Sequence, residues 1–319
     1  MKNDSSATRL KRVTPAGGLL LGLTGIVAFS FSLPATKLAV NDLDPWFVTF
    51  ARAAVAAALA AAYLAAVRAP LPSREQFRRL GLVAGGVVIG FPLFTGLALT
   101  TSDSAHGAVF IATLPAATAL AAVLFAGERP GAVFWLAALA GLGIVAGFSL
   151  AESGGSLVAA DGFLLAAVAL CAVGYAHGGV LSRTLGGART ISWALVLSAP
   201  VTVPLALVLA ATTAPSGGAP AWAGFAYVSV ISMFLGFFAW YAGLARGGVA
   251  RIGQVQLLQP PLTLGWSGVV LGERVGPETF VAALAVLATV VVTQRARVVS
   301  SNRELLDLRV SGQTRGGSA

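Results

Sequence analysis

Few side chains in this 319-residue chain could bind or transform anything polar, so their types and spacing carry most of the information. Gln256 and Gln259, three apart, share a helix face beside Pro260. A buried amide pair needs partners, and a polar ligand or water can supply them. Pro115 and Pro260 each remove a helix donor and free the carbonyl four residues earlier, at Ile111 and Gln256. Lys37 and Arg52 are the two cations inside or beside apolar runs. Either they snorkel toward Asp42 and Asp44 at an interface, or they form a cationic mouth for a carboxylate or phosphate. His177, after Tyr175 and before Gly178-Gly179, is either a packed interhelical histidine or a ligand for substrate or proton. Phe31, Trp240 and Tyr241 are apolar enough to line a cavity or to pack between helices.

This inventory is poor in catalysts. No Asp or Glu falls well inside an apolar run, so no carboxylate proton relay is expected, and His106 lies near the outer end of its run. No P-loop or paired-histidine metal motif is present. Gly141-Leu142-Gly143-Ile144-Val145-Ala146-Gly147 lacks dinucleotide spacing, and its Gly143 and Gly147 read as a helix contact face. The single Cys171 within an apolar run allows no disulfide in one chain and reads as a small core residue. No cofactor, metal site or covalent chemistry is therefore expected.

The elements that must position these residues are membrane helices. The chain is 57% hydrophobic and 10% charged, against about 25% charged in an ordinary soluble domain. Uncharged runs of about 20 residues, the length that crosses a bilayer, dominate it. Ten spans are expected, near residues 13–36, 46–67, 80–100, 104–126, 131–150, 161–181, 191–211, 222–244, 252–271 and 279–294. Thr212 to Pro220 supplies the turn that divides a long uncharged stretch. The formal charge of +9 is explained by retention of basic residues on the cytoplasmic side, and no segment is suited to nucleic acid.

The chain repeats itself. An apolar run from Ala108 is broken at Pro115 and closed by Gly127-Glu128-Arg129; another from Gly253 is broken at Pro260 and closed by Gly272-Glu273-Arg274. Proline and glutamate are thirteen residues apart in both copies. The Gly-Glu-Arg closures read as polar stops. Five spans per copy is an odd number, so the second copy enters the membrane from the opposite side, an inverted repeat. Eighteen of the twenty-one Lys and Arg residues then fall on one side with both termini, leaving Lys37 and Arg274 outside and Arg52 within a span. The predicted organisation is all-α: a cytoplasmic tail 1–16, five-helix repeats 17–151 and 160–295, and a basic cytoplasmic tail 296–319. Paired breaks at membrane depth point to a substrate site between the repeats.

In this order, several short segments resemble the EamA-type transporters of the drug/metabolite transporter superfamily. They are Leu33-Pro34-Ala35-Thr36-Lys37, Asp44-Pro45, Arg52-Ala53-Ala54, Thr100-Thr101, Ala108 to Pro115 with Gly127-Glu128-Arg129-Pro130, Gly253 to Pro260 and Gly272-Glu273-Arg274. Where a typical first repeat has a polar or aromatic pair early in span one, this chain has Phe29-Ser30-Phe31-Ser32. The resemblance implies a cavity between two repeats, alternating access, and export of amino acids, related metabolites or drugs across a bacterial inner membrane. The expected partners are a small-molecule substrate, the lipid bilayer and a coupling proton or counter-substrate. The runner-up is a membrane enzyme acting on a lipid headgroup with Lys37, Arg52, Asp103 and His106 at the interface. A membrane scaffold would not need paired breaks.

Overall fold

The computed structural model describes residues 15–126, 131–152, 154–156, 158–247, 254–293, 295 and 296. The Gly127-Glu128-Arg129-Pro130 closure, Gly253 and most of both polar tails lie outside these residues. Among the described residues, eight helices are long and apolar enough to cross a membrane. They are α1 (Gly17–Val40), α2 (Pro45–Ala66), α3 (Arg74–Leu99), α4 (Ser104–Phe125), α5 (Ala132–Glu152), α6 (Ala159–Leu185), α7 (Gly187–Thr213) and α8 (Ala219–Gly243). Two shorter apolar helices follow, α9 (Gln259–Leu271) and α10 (Pro277–Thr293).

Local chemistry sets the ends. Asp44 caps α2 by accepting from Phe47 N at 2.8 Å, and Pro45 fills the first helical position, where no donor is needed. Helix α3 starts at Arg74 rather than Leu80. Ser73 and Gln76 form a capping box, and Arg79 pairs with Glu75 one turn back at 2.8 Å, which carries the helix through the basic turn. Gly186, at φ 80°, makes the abrupt junction between α6 and α7.

Five breaks interrupt these helices, four of them in matched positions of the two halves. The first half of α4 ends at Ile111 and its second half restarts at Leu114; a 3₁₀ turn, Gln254–Leu258, precedes α9. Pro115 and Pro260 are each the second residue of the restarted helix. They do not kink a continuous helix, because at that position the missing N–H has no intrahelical acceptor to lose. Wide π-helical turns occupy Ala84–Gly90 in α3 and Tyr227–Leu235 in α8. The fifth break is at Phe31, between Ser30 and Ser32 in α1.

Packing follows the same pairing. Helix α1 packs along α8, α3 along α6, α2 along α7, and α4 on α9. Exchanging the first five helices for the second five maps this set of interfaces onto itself, as a duplicated unit requires. Small residues allow close approach: Gly86 lies against the Leu170 carbonyl and Gly174 against Val87, so α3 and α6 meet almost backbone to backbone. Leu20, Leu124, Leu136, Leu207 and Val269 are exposed, an apolar outer surface suited to lipid.

Candidate substrate cleft

The breaks surround the interior. A narrow cleft lies among both halves, bordered by Ser32 of α1, Arg52 of α2, Val87 in the wide turn of α3, Tyr175 of α6, Phe237 of α8 and Gln259 of α9. Beside it, Pro115, Gln256, Gln259 and Pro260 border a narrow crevice with no room for a water molecule. Gln259 borders both. The two prolines and both glutamines thus share one small region, and it lies where the interrupted segments α4 and α9 meet.

Arg52 sits about two turns into α2 and is 4% exposed. Its Nε has no hydrogen-bond partner, and among the described residues no carboxylate lies within ion-pair distance. Lys37 has a different environment. Its ammonium donates to the carbonyls of Leu99 and Ser102, both at 2.9 Å, and so closes the carboxyl end of α3. It reaches neither Asp42, which accepts from Gly218 N at 2.9 Å, nor Asp44, which caps α2.

The remaining residues singled out by sequence divide. Tyr175 borders the cleft. Phe31 packs edge-on against Tyr227 and Trp266, with ring centroids 4.8 and 5.7 Å away. Trp240 is buried against Gly25 in the α1–α8 interface. His177 packs on Phe125 at 4.6 Å, and its buried Nε2 has no partner. None of Lys37, Phe31, Trp240 and His177 borders either cavity. Cys171, expected as core, is buried and also touches the cleft.

Two features were hidden in the sequence. The first is how the break at Phe31 is satisfied. Tyr227 Oη donates to the Ala28 carbonyl at 2.9 Å, Thr263 Oγ1 to the Ser30 carbonyl at 2.8 Å, and Trp266 Nε1 to Ser30 Oγ at 3.0 Å. Ser32 and Ser232 share a hydroxyl bond of 2.7 Å. Donors from the second half therefore complete an irregular stretch of the first, which is the condition for non-helical backbone at membrane depth. Phe29-Ser30-Phe31-Ser32, a polar interruption in an apolar run, was the one available signal.

The second is a histidine–carboxylate cluster. His106 Nδ1 meets Glu152, and its Nε2 meets Asp161 Oδ1 at 2.8 Å. Asp161 also accepts from Ser149 Oγ and from Val158 N, the latter at 3.0 Å. Asp161 is 3% exposed, although it lies in the first turn of its helix rather than well inside a span. It sits near the start of α6, where the fold lays the ends of α4 and α5 over it. The Gly272-Glu273-Arg274 closure is also more than a stop. Glu273 accepts from Ser104 N, Ser104 Oγ and Ala105 N at 2.9 to 3.1 Å, capping α4 from the α9–α10 connection.

These observations define a polytopic helical membrane protein with a central cleft between two matched halves. A family profile described as the EamA-like transporter family matches residues 16–150 and again 158–294. The uncharacterized transporter YdeK of Bacillus subtilis (strain 168) is 48% identical over 278 residues, covering 87% of this chain and 97% of that one. The chain belongs to the EamA-like transporter family. Among solved structures, one chain described only as "Crystal structure of protein" shares the fold at 19% identity, with TM-score 0.58 over 89% of this chain and 99% of its own. The protein is thus a multi-pass membrane transporter with a small-molecule substrate, and an enzymatic role on lipid headgroups is not favoured.

Proposed function

We propose that the protein is a secondary exporter of a small polar or amphipathic metabolite, working by alternating access in a bacterial inner membrane. Ten spans form two five-helix repeats of opposite orientation, with both termini cytoplasmic. The observation that carries this reading is the cleft, bordered by helices of both halves and flanked by paired backbone breaks at Pro115 and Pro260. A site shared by two rocking units changes its access when one moves against the other. The wide turns in α3 and α8 and the interrupted α4 and α9 are the places where such motion costs least, because their regular backbone bonding is already broken.

Gln256 and Gln259 offer neutral donors and acceptors at the junction of the two cavities, and Tyr175 adds a hydroxyl. Uptake and efflux of labelled amino acids and metabolites in proteoliposomes, with and without a pH gradient, test substrate and coupling together. The double substitution Gln256→Ala with Gln259→Ala is expected to lower transport about tenfold or more at unchanged membrane abundance, the effect of losing buried polar contacts to substrate. Full transport by the double variant would remove the glutamines from the site.

A further inference from the structure

We propose that Arg52 is the substrate-binding cation of the cleft, and that the substrate it selects is an organic monocarboxylate with an apolar body and no ammonium group. This rests on the transporter reading of the same cleft.

Counting charges identifies the ligand. A buried guanidinium without a counter-ion is expensive, several kcal/mol for an ion removed from water. A fold gains nothing by keeping one unless something in the working cycle pairs with it. Four of the acids among the described residues have other partners: Asp44 at the start of α2, Asp42 with Gly218, Asp161 with His106 and Glu273 at the start of α4. The other cation of this region, Lys37, is held by two carbonyls and does not border the cleft. The cleft therefore offers one positive charge. One carboxylate neutralises it, matching the planar fork of the guanidinium with two parallel bonds. A phosphate dianion would bring a second negative charge that nothing in the cleft balances.

The rest of the lining decides the body of the ligand. Ser32, Ser232, Tyr175 and Gln259 are neutral, and among the described residues no carboxylate borders the cleft to receive an ammonium. The two serine hydroxyls are already bonded to each other. Phe29 and Phe237, with ring centroids 4.9 Å apart, make one wall together with Val87 and Ile111. An apolar chain or ring is at home there, and a zwitterionic amino acid leaves its ammonium unpaired.

The test is calorimetric titration of the full chain in detergent with a series of monocarboxylates from acetate to phenylacetate and indole-3-acetate. Each is compared with its amide, with phenylalanine and with phenyl phosphate. At least one acid is expected to bind about tenfold or more tighter than its amide, phenylalanine and phenyl phosphate, a difference of about 1.4 kcal/mol. Arg52→Gln is expected to abolish that preference, Arg52→Lys to keep part of it, and Arg52→Gln to leave the unliganded melting temperature unchanged or raised. Acids that bind no better than their amides, or not at all, overturn the proposal. So does a tighter phenyl phosphate, or an Arg52→Gln variant that melts earlier while retaining the preference. Arg52-dependent acid binding without any flux in proteoliposomes would instead count against transport and leave the site standing. Flux that ignores Arg52→Gln would do the reverse.

Discussion

At the scale of single residues, two cations of similar apparent promise have opposite environments. Lys37 satisfies Leu99 and Ser102 carbonyls at the end of α3, whereas Arg52 has no ionic partner among the described residues. Their substitutions should separate accordingly. Lys37→Met is expected to lower stability by about 1–3 kcal/mol, the cost of leaving buried acceptors without a charged donor, with the KM for transported substrate unchanged. Thermal melting of the purified protein, alongside transport kinetics, checks both halves of that statement. A raised KM with unchanged melting would place Lys37 in the site. Sequence alone left these two residues equivalent, because each was simply a basic residue near an apolar run. What separates them is which groups come within 3 Å, and those groups are up to 65 positions away.

At the scale of helices, one polar joint ties α4, α5 and α6 together. An imidazole with a carboxylate at each ring nitrogen donates to both when it carries both protons, so His106 ties the start of α4 to Glu152 and Asp161. His106→Ala would leave Asp161 buried and short of a donor, with Glu152 nearby. The expected loss is about 3 kcal/mol, typical of removing one partner from a buried ion pair. Melting in detergent measures it, and His106→Asn should recover part by restoring one donor. A variant as stable as the parent would show that the cluster holds nothing together. The helices themselves were readable from apolar run length. Their interruptions were only partly so: prolines marked the breaks in α4 and before α9, but nothing in Ala84–Gly90 or Tyr227–Leu235 announced π-helical turns. Such turns arise where packing against another helix competes with regular bonding, a condition set outside the segment.

At the scale of the whole molecule, the exchange of α1–α8 with α6–α3, and of α2 with α7, ties the two halves into one unit. The basic residues supply an orientation for it. A phosphatase or fluorescent-protein reporter at the carboxyl terminus is expected to report the cytoplasm, as is one at the amino terminus. Opposite locations for the two ends would require an odd number of crossings and would discard the five-plus-five arrangement. The proposed inversion would also account for the position of the cleft. On the proposed topology, two units related by an axis in the membrane plane would present the same breaks from opposite sides and bring them together near mid-depth.

By itself, the sequence determined that this chain lives in a bilayer, that it is helical and duplicated, and that its two glutamines lie beside a proline break. These follow from run length, residue type and spacing, which act locally and survive translation along the chain. Only the tertiary structure decided that Arg52 faces a cleft with no counter-ion among the described residues, that Lys37 is occupied, and that Asp161 is drawn into a buried cluster. The physical reason is common to all three. The cost of a charge depends on the partners and dielectric around it, and both are supplied by helices distant in sequence.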